Sequence, residues 1–350
     1  QFTDDRRTID YLRMRTYLLA AGLHKRRQRG ILASASRPES ESKYTEIIPA
    51  VEPDKLADEI AALPAEAKLV EAGDQDVYAA HAHQIPLCLR EIGRLREVSF
   101  RAVGEGTGKP LDLDRFDETY LHLFIWQREK GEIVGAYRLG QSDIILPKYG
   151  INGLYTATLF DYDRKLIDQI DPVLEMGRSF VRPEYQRSYA PLMNLWKGIA
   201  RFMCLNPRYV RLLGPVSISN DYNDLSRRLM VEFLMANKFA RDLAALIRAR
   251  HPMRRPKRKR IVKGVDSVVV RDIDEVSDII ADIEREPKGV PILLKQYLRL
   301  GAQLIGFNID PDFGDVLDGL ILIDLRDTDR KILGKYMGKQ AMAEFFSHYE

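Results

Sequence analysis

Leu174-Glu175-Met176-Gly177-Arg178-Ser179-Phe180-Val181 reads as a strand in which an acid and a guanidinium stand among apolar side chains. The predicted strand spans residues 172–181. Charges in such a strand are costly to bury unless they are paired. Upstream, Gly135-Ala136-Tyr137-Arg138-Leu139 sets another arginine at the end of an otherwise apolar strand. Two readings stand side by side. In one, Arg138, Glu175 and Arg178 form a buried ion network that holds a sheet together. In the other they line a cleft, with Glu175 displaced toward general-base behaviour.

Outward from this strand the hydrophobic period alternates between helix and strand. Strands or hairpins are predicted over residues 68–78, 121–127, 133–139, 209–219, 267–271, 303–309 and 319–325. Helices are predicted over residues 8–28, 53–63, 85–100, 190–205, 225–239, 273–284 and 291–300. Pro86 opens one of them near its first turn, and Glu129-Lys130-Gly131-Glu132 joins two strands as a hairpin. The elements mix without strict βαβ alternation, so the expected class is α+β, a mixed α/β sheet, and not a doubly wound Rossmann fold.

A third group of chemistry-bearing residues precedes the first arginine strand. Arg96 and Phe100 are four apart and share a helix face. Asp114 and Asp117 follow, three apart, just before a strand. An arginine facing two carboxylates fixes a loop, either as a plain salt bridge or as the cover of a cleft.

Composition narrows the function classes. The chain has 45% apolar and 30% charged residues, as soluble globular proteins do. Basic and acidic residues number 54 and 51, so the net charge of +3 matters less than its distribution. Residues 248–263 hold nine Lys or Arg and no acid. The two cysteines, Cys88 and Cys204, make neither a disulfide framework nor a metal site. No apolar run is long enough to span a bilayer, and no secretory leader is read at the N-terminus. Residues 308–318 cluster four aspartates but lack the glycine and terminal glutamate of a calcium loop, so no metal is expected. Those acids fit a hairpin tip that helps hold a cationic amino acid.

The order Arg96, Phe100, Asp114-Arg115-Phe116-Asp117, Gly135-Ala136-Tyr137-Arg138-Leu139, Glu175-Met176-Gly177-Arg178 resembles one family. It looks like the acyl-homoserine-lactone synthase branch of the GNAT fold. More closely it is similar to bacterial N-acyl amino acid synthases, the hemolysin-like N-acyltransferases of ornithine and glycine lipid formation. The similar spans are residues 90–140, 174–219 and 290–349.

The resemblance implies a GNAT-like sheet whose central strands splay, with the pantetheine arm of a thioester in the gap. It implies transfer of a fatty (also 3-hydroxy) acyl group from acyl carrier protein to the α-amine of an amino acid such as ornithine or glycine. No cofactor is bound in that scheme; the acyl carrier protein thioester is a substrate. The strand of residues 175–181 would supply backbone N–H donors to the thioester carbonyl. Glu175, held by Arg178 or Arg138, would be the base or the residue that orients the amine. Arg96, Phe100, Asp114, Asp117 and Phe180 would contact substrate. Other readings are a lactone-forming signal synthase and a non-catalytic module that only docks carrier protein or membrane.

Ordinary acetyltransferases cradle the CoA pyrophosphate on a glycine-rich turn at a helix start. Here the corresponding segment is Gln186-Arg187-Ser188-Tyr189-Ala190-Pro191, in which Tyr189 replaces a glycine and Pro191 removes a donor. That departure favours a carrier-protein thioester. Arg254, Arg255, Lys257, Arg258, Lys259 and Arg260 then become the expected docking surface for an acidic carrier protein. Anionic membrane is a second partner for the same run, and nucleic acid ranks last because no aromatic residues interleave the charges. The expected location is cytoplasmic, with peripheral contact at the inner face of the membrane. Arg7–Arg15 resembles the tail of a lysophosphatidic-acid-type acyltransferase domain, of which residues 1–33 would be a helical remnant. On that reading residues 34–44 are a linker and residues 45–350 the acyltransferase domain, with a basic insertion at 245–263.

Overall fold

The computed structural model describes residues 44–253, 272–284 and 288–349. The expected helix at 8–28, the strand at 267–271 and the basic run at 254–260 lie outside them. The described chain opens with helix α1 (Pro53–Ala61) and the hairpin β1 (Lys68–Ala72) and β2 (Gln75–His81). Helix α2 (Pro86–Arg101) follows. Pro86 occupies its first turn, and the Glu59 carboxylate of α1 accepts from the free N–H groups of Leu87 at 2.9 Å and Cys88 at 2.7 Å.

A second hairpin, β3 (Leu121–Gln127) and β4 (Glu132–Gln141), leads to helix α3 (Ser142–Tyr149). Then come β5 (Phe160–Tyr162), α4 (Arg164–Ile170), β6 (Val173–Val181), α5 (Ala190–Leu205) and β7 (Arg211–Ile218). Helices α6 (Asp224–Asn237) and α7 (Arg241–Ala244) precede β8 (Ile247–Ala249). The last part holds α8 (Ile273–Ile283), α9 (Ile292–Arg299), the hairpin β9 (Gln303–Asp310) and β10 (Val316–Asp324), and helices α10 (Arg330–Met337) and α11 (Lys339–Phe346).

One sheet carries eight of the strands in the order β1-β2-β3-β4-β6-β7-β10-β9, and β5 and β8 form a separate pair. Within the large sheet only β6 and β7 run parallel. This is the mixed sheet that the pattern of elements predicts. Strand alternation sorts the core into two layers. Leu121, Leu123 and Ile125 of β3 face α5, meeting Leu195, Trp196 and Ile199. Phe124 and Trp126 turn the other way, toward Cys88 and Ile92 of α2. Gly198 lets α5 lie close on the sheet, since a Cβ there would press on Val77 and Leu123.

The parallel pair is short. Its rungs are Val173–Arg211, Leu174–Leu212 and Glu175–Leu213, and beyond Glu175 the two strands separate. β6 stays paired with β4 as far as Val181, and β7 stays paired with β10 as far as Ile218. The sheet is therefore continuous on either side of a fork. At its root, a Cβ on Gly214 would lie inside van der Waals contact of the Met176 carbonyl oxygen, so only glycine fits. The next residue, Pro215, has no N–H to offer a neighbouring strand.

Candidate active site

The fork opens a cavity of about 560 Å³. Arg178 and Ser179 of β6 line one wall, and Pro215, Val216 and Ser217 of β7 the other. Asp310 and Phe313 from the β9–β10 hairpin, Asp318 of β10, Phe100 of α2 and Glu105 from the following loop line it as well.

Arg178 reaches the cavity because β6 bulges. Between the rungs Ala136–Phe180 and Arg138–Gly177, β4 has one residue and β6 has two. Arg178 takes a left-handed φ of 50°, a conformation non-glycine residues adopt only under local constraint. The constraint is visible in its contacts. Arg178 Nε lies 3.1 Å from Asp112 Oδ2 and Nη2 3.5 Å from Asp114 Oδ2. Nη1 donates to the Tyr155 hydroxyl at 2.9 Å. Burial presses against its charge, but Asp112, Tyr155 and Asp114 outweigh this and hold the guanidinium well above its usual range.

Arg178 ends a ladder of three arginines and three aspartates. Arg96 Nη1 donates to Asp117 Oδ1 at 2.7 Å. Arg138 Nη1 meets Asp117 Oδ2 at 3.2 Å and Asp114 Oδ1 at 2.6 Å. Asp114 then shares Arg178 with Asp112. Burial disfavours the Asp117 charge, yet Arg96 and Arg138 overcome it and keep that carboxyl well below the usual range. Arg96 and Arg138 are buried and do not line the cavity. Nor do Asp114 and Asp117. These four expected site residues form the support on which Arg178 rests. Phe100 lines the cavity and packs edge-on against Phe313, centroids 5.1 Å apart. Phe180 points into the α2 side of the core with Phe124 and Trp126.

Glu175 is placed differently from its expected pairing with Arg178 or Arg138. Its carboxylate accepts from Tyr155 N at 3.0 Å and Thr156 N at 2.8 Å, and from the hydroxyls of Tyr120 and Thr156. It is buried and does not line the cavity. Four donors saturate it, and its effect is to fix the turn that carries Tyr155 beneath Arg178.

The exposed Asp221 and the half-buried Lys288 line the cavity, and three buried acids face it: Glu105, Asp310 and Asp318. Each is buried, and burial raises each carboxyl above its ordinary range. Glu105 is stabilised in part by Ser217, whose Oγ donates to it at 2.9 Å. Asp318 is raised further by the neighbouring charges of Asp310 and Glu105. Glu105 escaped sequence reasoning. Its signal is Gly104-Glu105-Gly106-Thr107-Gly108, a lone acid in a glycine loop. Gly104 and Gly108 take φ of 75° and 79°, and the Glu97 carboxylate gathers the Thr107 and Gly108 N–H groups at 3.1 and 2.9 Å. This turn swings Glu105 over the end of β7.

Neither cysteine enters the cavity lining; Cys88 is in the core and burial pushes its thiol far up. Among the described residues no cluster of His, Cys, Asp and Glu has metal-binding geometry. A groove with unpaired strand edges on one side and buried carboxylates on the other suits an acyl acceptor reaction in which an amine must shed a proton.

The family model for the acetyltransferase (GNAT) domain matches residues 95–197, from within α2 to within α5. Glycine N(alpha)-acyltransferase of Phocaeicola vulgatus is 30% identical over 268 residues, covering 72% of this chain and 80% of that protein. L-ornithine N(alpha)-acyltransferase of Brucella abortus is 36% identical over 93 residues, 25% of this chain and 32% of that protein. Among solved structures, a CoA-dependent acyl-homoserine lactone synthase with SAM and isopentyl-CoA aligns at a TM-score of 0.37 and 13% identity, covering 77% of this chain and 97% of that one.

Proposed function

This chain belongs to the GNAT-type amino-acid N-acyltransferases, and on that premise we propose that it moves a fatty acyl group from acyl carrier protein to an amino acid α-amine. The observation that carries the reading is the fork: β6 and β7 part after Glu175–Leu213, and the cavity fills the space between them. The pantetheine arm lies there like a missing strand. On β6 past Glu175, the N–H groups that face β7 have no rung to join, and they are the donors for the thioester carbonyl as it gains negative charge.

The acceptor enters as an ammonium ion and must lose a proton before it attacks. Glu105 takes that proton: it is buried, faces the cavity and has a carboxyl raised toward working pH. The amine nitrogen then bonds to the thioester carbon, the C–S bond breaks, and the second proton that the nitrogen must shed to become an amide is taken up by the departing pantetheine thiolate, which leaves as the thiol. Neither cysteine lines the cavity, which favours direct transfer over a cysteine-linked acyl-enzyme.

Two features support a carrier-protein donor. Gln186 lines the cavity just before α5, but that helix begins with Tyr189 as cap and Pro191 in its first turn, which is poor provision for a pyrophosphate. Also, the chain enters the basic run from His251, whose backbone pairs with Ile309 and Asn308 beside the cavity-lining Asp310. Residues 254–260, with six Lys or Arg and no acid, would suit an acidic carrier protein. No helix of the described residues is long and apolar enough to cross a membrane; peripheral contact through the same basic run is part of the proposal.

The test is acyl transfer by the purified chain, with one hexadecanoyl thioester presented on acyl carrier protein or on CoA, and a set of amino acids as acceptors. Amide formed faster from the carrier protein supports the proposal. Faster use of CoA removes the carrier protein from it, and no amide from either donor removes the reaction.

A further inference from the structure

We propose that the Ser179 hydroxyl is the hydrogen-bond donor to the departing sulfur, aimed into the cavity by two buried tyrosine hydroxyls behind it. This rests on the reading of the fork as the thioester site, and it follows from the number of protons those hydroxyls hold. Between the rungs Ala136–Phe180 and Arg138–Gly177, Tyr137 of β4 stands opposite the bulged pair Arg178 and Ser179. Ser179 lines the cavity, and its hydroxyl meets that of Tyr137. The Tyr137 oxygen lies 3.3 Å from that of Tyr297 on α9. The three hydroxyls thus form a row from the cavity wall into the core, where Tyr137 and Tyr297 are 1% and 3% exposed.

A row of three hydroxyls carries three protons and has only two internal hydrogen bonds, so one proton must leave it at one end. At the inner end the Tyr297 hydroxyl has no partner besides Tyr137 among the described residues. Trp196, with its ring centroid 5.6 Å from that of Tyr297, offers only an N–H, itself unpartnered. A proton turned that way is left without an acceptor in a dry core, which is costly. Burial pushes the Tyr137 hydroxyl up to about 12 and holds that of Tyr297 well above its ordinary range, so both keep their protons. The row is therefore polarised outward. Tyr297 donates to Tyr137, Tyr137 to Ser179, and Ser179 to the cavity.

Two atoms of the thioester gain negative charge during transfer, the carbonyl oxygen and the sulfur. The oxygen is served by N–H groups of β6, which lie in the plane of the sheet. Side chains stand out of that plane, so the Ser179 hydroxyl approaches the arm from its face, and the sulfur is the atom still lacking a donor. The lining cations are engaged elsewhere: Arg178 with Asp112, Asp114 and Tyr155, and the Lys288 ammonium with the Asp221 carbonyl at 3.1 Å. Tyr137 strengthens Ser179 as a donor, because each hydrogen bond in such a row polarises the next. Ser179 keeps its own proton throughout. The electron pair of the C–S bond goes to sulfur, which takes the proton that the nitrogen sheds.

The experiment uses the purified chain, hexadecanoyl acyl carrier protein as donor, and the acceptor that the wild type uses fastest from a set of amino acids. Single-turnover rates are compared for wild type, Ser179→Ala, Ser179→Thr and Tyr137→Phe. Ser179→Ala should slow transfer about 10- to 100-fold, the effect of one hydrogen bond to a charged group, with affinity for the acylated carrier unchanged. Ser179→Thr keeps the hydroxyl and should recover most of that rate. Tyr137→Phe keeps Ser179 but removes the group that orients it, and should fall between. A second readout tests the sulfur itself. Affinity for the holo carrier protein, whose free thiol is the product, is measured from about pH 6 to pH 10, across the ordinary thiol value of about 8.5. The wild type should gain about 10- to 100-fold over Ser179→Ala as the thiol ionises, since only the thiolate needs the donor. Holo carrier bound by Ser179→Ala at the low end of that range shows that the variant is folded. Transfer by Ser179→Ala at the wild-type rate, or an affinity ratio flat with pH, would overturn the inference while leaving the acyl transfer reading intact. No amide from the wild type would instead remove the reading beneath it.

Discussion

The Ser217 hydroxyl, on the strand forming one wall of the fork, donates to the Glu105 carboxylate at 2.9 Å. That bond favours the ionised acid, while burial and the charge of Asp221 oppose it. Ser217→Ala removes the favourable influence, so the Glu105 carboxyl should rise further. If Glu105 is the base, the acidic limb of the kcat/KM profile then moves to higher pH. Glu105→Gln should lower kcat about 10²- to 10⁴-fold and abolish that limb. A profile unmoved by Ser217→Ala, with Glu105→Gln still active, would take Glu105 out of the chemistry.

Gly214 sits at the root of the fork against the Met176 carbonyl. Gly214→Ala must force β6 and β7 apart where they are last paired, or shift the backbone. Overpacking of this kind costs about 1–3 kcal/mol. The urea midpoint should fall accordingly, and kcat should fall with it because the donors on β6 move. Gly177, whose Cβ would meet nothing within 4 Å, provides the control: Gly177→Ala should cost far less.

Glu175 satisfies two backbone N–H groups and two hydroxyls at once. Glu175→Gln keeps the shape but replaces one acceptor oxygen with a donor, facing groups that already donate. The expected result is a loss of about 1–3 kcal/mol in stability, with kcat of the folded protein within a few fold of wild type. The reverse pattern, unchanged stability with kcat collapsed, would return Glu175 to the reaction as its base.

Much of the fold is legible because burial follows simple periods. The strand at residues 121–127 and the helix at 190–205 agree with their hydrophobic patterns to the residue. Elements too short for a period were not read: the three-residue strands Phe160–Tyr162 and Ile247–Ala249, and helix α3, which carries Pro147 inside it. The C-terminal helices α10 and α11 were missed too, each eight residues long. Within the site, the sequence offers Arg96, Asp114, Asp117, Arg138 and Arg178 as charges needing partners, and the structure joins them. It does not indicate which carboxylates pair. Glu175 looks like the natural partner of Arg178 along one strand, yet its donors come from the turn at Tyr155 and Thr156. Glu105 reaches the cavity through the left-handed glycines around it, a feature of backbone and not of side-chain pattern.

Arg138 links both ends of the ladder, touching Asp117 and Asp114 and packing its guanidinium near the rings of Tyr120 and Tyr155, 5.3 and 5.2 Å away. Arg138→Met should leave Asp117 sharing a single arginine in a dry setting. Breaking a buried pair from one side typically costs about 3–5 kcal/mol. A urea midpoint unchanged by this substitution would mean the ladder contributes nothing to folding. Adding Asp114→Asn to Arg138→Met should recover part of the loss, since it removes one of the orphaned charges.

His122 supplies a pH test of the same network. Its Nε2 is 2.8 Å from the Asp117 carbonyl oxygen, which accepts only, so the neutral ring carries its proton there. Nδ1 is buried and without a partner. Burial, then the charge of Arg96, push the imidazole down to about 4 from 6.5, against the opposing pull of Asp117. Between those two values the unfolded chain binds a proton at this site that the native chain does not. Native stability must therefore fall as pH drops through this window, by up to about 3 kcal/mol. The raised carboxyls of Glu105, Asp310 and Asp318 act with the opposite sign, losing stability as pH rises. They are common to wild type and a His122→Gln variant, as is His81, so they cancel when one is subtracted from the other. Urea unfolding free energies from pH 7 to pH 4 should show the wild type losing stability relative to His122→Gln as pH falls. A difference that stays flat would mean His122 takes up its proton in the folded protein as readily as in the unfolded chain, with Arg96 and Arg138 exerting no net influence on it.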